Sequence, residues 1–318
     1  MEKRLFYRND DSGKMFLICL IAKFLMPLLF SMIAGKIAEG KGIKATEITE
    51  SLVFNAIYLS ITLLLYLAIF FAYNKINKVS FKAVNLKFKM PWHTYLILIA
   101  VGVLSLLGVN YFIGATDNFL SLIGFPIKEG LPMVNPTSFP LYLLALLLMA
   151  VIPAICEELL FRGVILHGLR DRFGTWASIA LSALMFALMH GNLQQFVYPF
   201  ILGGIMGWLV TKTGSLFSSM LVHFINNFLV VTFAYIQNIT GFSLALPNTW
   251  WFYLVAFGLL FATFGILWLI EKFYFKGKTA KDVERTSQKT SIYVYLSIGI
   301  SVLMLVITTI LQFVSNIA

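Results

Sequence analysis

Apolar stretches of about twenty residues recur from Met15 to the C-terminus, and that recurrence leaves few folds open. In hydrocarbon every backbone N–H and C=O needs a partner inside the protein, so only α-helices and closed β-barrels cross a bilayer. A barrel alternates apolar and polar residues over ten-residue segments, and no such alternation runs here. The fold class read from the sequence is therefore all-α, a polytopic transmembrane helical bundle of eight or nine spans. Nine lie near 15–34, 51–73, 92–114, 139–166, 175–190, 196–211, 216–238, 250–271 and 292–315. With 59% of residues hydrophobic and 12% charged, no soluble domain of any size fits between them. The first run carries Lys23 and no small-residue cleavage site follows, so it reads as a retained helix and not a cleaved leader.

Charge then sets the orientation. With the N-terminus in the cytoplasm, the inside segments hold Lys3, Arg4, Arg8, Lys14, Lys75, Lys78, Lys82, Lys87, Lys89, Arg170, Arg172, Lys212, Lys272, Lys276, Lys278, Lys281, Arg285 and Lys289. The outside segments hold Lys36, Lys41, Lys44 and Lys128. Eighteen against four follows the positive-inside rule for nine spans. The net charge of +10 is thereby a topology signal with some attraction to anionic lipid, and no nucleic acid is needed to explain it. Cys19 and Cys156 both fall in apolar spans and read as small hydrophobes; like charge from the neighbouring glutamates also disfavours a Cys156 thiolate.

The chain divides into three parts: a three-span scaffold over 1–138, a core over 139–238, and a two-span segment over 239–318 with a basic cytoplasmic linker from Lys276 to Lys289. The loop at 124–140 is long enough for a short interfacial helix. His93, just after Pro91, and His167, near Arg170 and Asp171, read as interfacial histidines. The core holds the intramembrane groups that point to chemistry.

The core holds Glu157, Glu158 and Arg162 inside one apolar stretch, and ionisable groups at that depth cost at least a few kcal/mol each. Residues four apart on a helix share a face, so Glu158 stacks over Arg162 as a charge-assisted pair while Glu157 turns toward a polar cavity. Pro153 frees the carbonyl one turn earlier and loosens this helix. A second helix supplies Phe186 and His190. A third supplies His223 and Asn227, side by side at a spacing of four, with Asn226 turned away. Ser215 is an N-cap for that helix, and Gly203 with Gly207 forms a small-residue face for close packing. Glu157 with His190 can polarise a water and take its proton, while His223 and Asn227 present N–H donors to an oxyanion.

Glu157-Glu158-x-x-x-Arg162, Phe186-x-x-x-His190 and His223-x-x-x-Asn227, with the Thr213-Gly214-Ser215 lead-in, together resemble the motifs of the CAAX protease and bacteriocin-processing family, also called the Abi family. The resemblance covers roughly 140–235 and implies an integral-membrane endopeptidase related to the type II prenyl-protein endopeptidases, which trim a prenylated C-terminal tail. It implies catalytic roles for Glu157, His190, His223 and Asn227, with Glu158 and Arg162 as structural support.

These residues leave alternatives open. A metal-free, glutamate-activated water is the expectation, with no cofactor; a Zn2+ site would use Glu157, His190 and His223, although they come from three helices and no His-Glu-x-x-His run is present. The expected partners are a peptide or lipidated protein substrate at the membrane and the lipid bilayer. A non-catalytic membrane partner or regulator, and a bacteriocin self-immunity protein or peptide transporter, are the competing functions. Abundant Lys, Ile, Phe and Asn suggest a bacterial cell membrane as location. One geometric difficulty stands: a span ending at 166 leaves Glu157 part-way along its helix while His190 closes its own, so the two meet only through tilt, a shifted helix start or a break at 191–195.

Overall fold

The computed structural model describes residues 3–127, 134–242, 250–276 and 289–317. It is an all-α bundle, with no strand among the described residues. Among the described residues nine long helices carry it: α1 (Asn9–Lys41), α2 (Leu52–Ile76), α3 (Trp92–Leu122), α4 (Phe139–Phe173), α5 (Thr175–His190), α6 (Val197–Thr213), α7 (Leu216–Thr240), α8 (Trp250–Phe273) and α9 (Ile292–Ile317). Seven of them are long and apolar enough to cross a membrane. The others, α5 with 16 residues and α6 with 17, form a short inner hairpin. Residues 128–133 of the loop at 124–140, where a short interfacial helix is expected, and 277–288 of the linker from Lys276 to Lys289 lie outside the described residues.

Close backbone approach builds the centre. A Cβ on Gly203 would stand 3.2 Å from the Cα of Ala183 and 3.0 Å from Nη2 of Arg162, and one on Gly207 would stand 3.3 Å from Ile179. The small-residue face of α6 therefore lets α5 and the Arg162 side chain press directly against it.

α4 is longer than the expected span and ends at Phe173, where Gly174 takes φ 76° and ψ 179°, a conformation reserved for glycine. That later end removes the difficulty of depth. Gly174 lies nearly midway in sequence between Glu157 and His190, so two antiparallel helices bring both to one level, roughly 25 Å from the turn at 1.5 Å per residue.

Inside α4 the backbone widens twice, into π-helical segments at Leu146–Val151 and Leu159–Leu166. The first precedes Pro153, whose missing N–H leaves the Met149 carbonyl without its usual partner. The second follows the glutamate pair. Such widening turns side chains away from a regular helical face and often accompanies function.

The start of α7 is fixed from outside the core. Asn85 donates through Nδ2 to the Gly214 carbonyl (2.6 Å) and accepts on its own carbonyl from the Leu216 N–H (3.1 Å). Ser215 caps the helix as expected, accepting from the Phe217 N–H at 3.2 Å, and donates to the Lys87 carbonyl at 2.5 Å. At the same end of the bundle, Asp11 of α1 takes Arg4 (3.0 Å) and the Tyr73 hydroxyl (2.8 Å), and Ser12 donates to the Ile165 carbonyl (2.9 Å). α1 is thereby pinned along α4.

Candidate active site

Glu158 is the hub. It is fully buried, and its Oε1 accepts from Arg162 Nη1 at 2.7 Å and from His223 Nδ1 at 3.0 Å. Arg162, equally buried, donates its second Nη to the Gly203 carbonyl at 3.0 Å and lays its guanidinium 4.5 Å from the centre of the Phe186 ring. One ion pair thus ties α4, α5, α6 and α7 together. Ser219, four residues before His223 on α7, is buried beside Glu158.

Glu157 has the different environment that the 100° turn between neighbours requires. About a quarter of its side chain is exposed (26%), and its Oε2 stands 3.8 Å from His223 Nε2. That separation is too long for a hydrogen bond, yet one water at about 2.8 Å from each atom fits between them.

The imidazole hydrogen bonds fix where protons sit. His223 meets a carboxylate through Nδ1, so Nδ1 carries hydrogen and Nε2 faces Glu157. His190 Nδ1 lies 2.9 Å from the Phe186 carbonyl, which only accepts, so its Nε2 is again the free atom. Both rings pack edge-on to Phe186, with centroids at 5.1 Å for His190 and 6.0 Å for His223. Glu157 and His190, the pair expected to activate water, share no hydrogen bond or ion pair; the imidazole that faces Glu157 is that of His223.

His190 is held from behind by two contacts absent from the motifs: Thr308 of α9 donates to the Gly191 carbonyl at 3.1 Å, and Gln194 donates to Asp117 of α3 at 3.3 Å. No spacing rule in the sequence points to either.

Asn227 donates through Nδ2 to the Met149 carbonyl at 3.0 Å, the group that Pro153 deprives of its helical partner. The second N–H of that amide is not used by this bond. Asn226 is buried completely, and neither end of its amide has a hydrogen bond among the described residues.

His93 is exposed beside Tyr274 and Trp92. His167 differs from the expected interfacial residue: it is half-buried and donates through Nδ1 to the Arg162 carbonyl in the second widened segment. Cys19 and Cys156 are free and buried. Among the described residues no three His, Cys, Asp or Glu side chains converge to hold a metal ion. An apolar cavity of about 340 Å³ lies between α5, α6 and α8, lined by Trp176, Trp208 and Trp268 among others, and contains none of the candidate residues.

Residues 139–229 match the family model described as Rce1-like, type II CAAX prenyl endopeptidase. Over this segment the chain is similar to that family. All seven motif residues lie within the match. That family's description is of a CAAX prenyl endopeptidase, and the long apolar helices among the described residues agree with a membrane protein. No curated protein and no solved structure matches the chain.

Proposed function

We propose that the protein is an intramembrane endopeptidase that hydrolyses a peptide bond of a membrane-associated peptide or lipidated protein tail. The observation that carries this reading is the 3.8 Å separation between Glu157 Oε2 and His223 Nε2, beside a Glu158 that fixes the His223 ring. A water seated there gives its proton to Glu157 as it attacks the carbonyl carbon. The unused N–H of Asn227, with a His223 that enters the step already carrying a proton on Nε2, stabilises the tetrahedral oxyanion, and Glu157 then passes the water's proton to the amine nitrogen as the C–N bond breaks. On this reading His190, whose Nε2 is free, shares the proton traffic with Glu157. Glu158 and Arg162 hold these groups without touching the substrate.

No metal enters this mechanism. A zinc-dependent version would use Glu157, His190 and His223 as joint ligands, and the chelator arm of the test below separates it from this one. The reading places the protein in a bacterial cell membrane with its N-terminus in the cytoplasm, residues 139–238 as the catalytic core, and 1–138 and 239–318 around it.

The test uses the full-length protein in proteoliposomes with an internally quenched, S-farnesylated peptide of the Cys-a-a-X type. Wild type is expected to cleave it, and to keep cleaving after treatment with a zinc chelator. Glu157→Gln is expected to lose at least about a hundredfold in kcat while inserting and melting like wild type. Full activity in a folded Glu157→Gln protein would overturn the proposal. The natural substrate would then be sought among peptides that accumulate in cells carrying that variant.

A further inference from the structure

Of the 24 lysines and arginines, all but two lie in the segments that the charge bias assigns to the membrane faces; the two are Lys23 and Arg162. Arg162 is paired twice over. Lys23 has neither a hydrogen bond nor an ion pair among the described residues, and its helix lies outside the segment matched by the family model.

The packing of α1 on α4 locates this ammonium. Arg8 lies against Gly168, Ser12 donates to the Ile165 carbonyl, and Phe16 packs on Phe161 with ring centroids 6.1 Å apart. The helices therefore run antiparallel, and this register carried forward sets Leu20 level with Glu157 and Lys23 level with Ala154. Helical side chains lean toward the N-terminus, so the Lys23 stem returns toward the level of Glu157. Its ammonium indeed lies within electrostatic reach of both Glu157 and His190.

Lys23 sits about 12 Å inside the start of the apolar run at Met15, farther than its stem can carry the charge back to water. A lone cation at this depth needs an anion. Glu157 supplies only distant attraction, since the two form no ion pair.

On the endopeptidase reading above, we propose that Lys23 is a carboxylate-binding subsite, which receives the free C-terminal carboxylate of the substrate tail and so sets where the chain is cut. The cation would orient a short C-terminal stub beyond the scissile bond, and substrates lacking a terminal carboxylate would dock without register.

The experiment measures binding and cleavage of one fluorescent S-farnesyl Cys-a-a-X peptide, prepared as the free acid and as the C-terminal amide, with the full-length protein in proteoliposomes. Wild type is expected to bind the acid about tenfold more tightly than the amide, corresponding to about 1.4 kcal/mol, in the range of one charge-assisted hydrogen bond. Lys23→Met should bring acid and amide to the same affinity and KM, and Lys23→Arg should restore the preference. Equal binding of the two peptides by wild type, or a preference retained by Lys23→Met, would overturn the inference. So would a fall in kcat for both peptides alike in Lys23→Met, which would make Lys23 an electrostatic partner of Glu157. Selective binding without any cleavage would sink the endopeptidase reading while leaving the carboxylate subsite standing.

Discussion

Adjacent glutamates of identical chemistry meet opposite surroundings here, and substitution should separate them. Glu158→Gln removes the negative charge that Arg162 and His223 share in a fully buried position, and is expected to cost about 3–5 kcal/mol, read as a large fall in the detergent melting temperature. Glu157→Gln should leave the melt almost unchanged, as described for the activity test. Similar melting curves for the two variants would contradict the division of roles. Much of this division is legible in the sequence, because the 100° turn between neighbours and the four-residue step to Arg162 follow from helix geometry alone. The link from Glu158 to His223 is not, since it joins residues 65 positions apart and depends on how α4 and α7 pack. The same limit hid the engagement of Asn227 with Met149, although Pro153 announced that a carbonyl there would need a donor.

Elements make their own predictions. If Asn227 serves the carbonyl that Pro153 orphans, Asn227→Ala should lose about 1 kcal/mol of stability in the wild-type background and less in Pro153→Ala, where a backbone N–H returns. Equal losses in both backgrounds would show that the two residues are uncoupled. On α6, Gly203→Leu is expected to cost about 1–3 kcal/mol by driving α5 and Arg162 away, whereas Gly204→Leu, with nothing within 4 Å of the added carbon, should melt like wild type. Hydropathy reads the nine helices well, because each must hide its own backbone polar groups in hydrocarbon. It places the end of α4 poorly, since Arg170 and Asp171 resemble a water-facing boundary although both are buried in the continued helix. Tertiary burial overrides composition there, and with it the apparent mismatch of depth between Glu157 and His190 disappears.

At the scale of the whole molecule, the proposed orientation can be read by cysteine labelling, and the protein offers a quiet background because Cys19 and Cys156 are each 1% exposed. Lys41→Cys should react with an impermeant maleimide in intact cells, and Lys75→Cys only after the membrane is opened; the reverse pattern would invert the topology. The stature of the central hairpin has a further consequence. At 1.5 Å per residue, α5 and α6 reach about 25 Å, several ångströms less than an average hydrocarbon layer of about 30 Å. Lipid beside them must dip to meet their ends, and the loop after His190 lies at the bottom of that dimple. The proposed hydrolysis, which consumes water in an oily solvent, would then be supplied through the thinnest patch of membrane the protein makes.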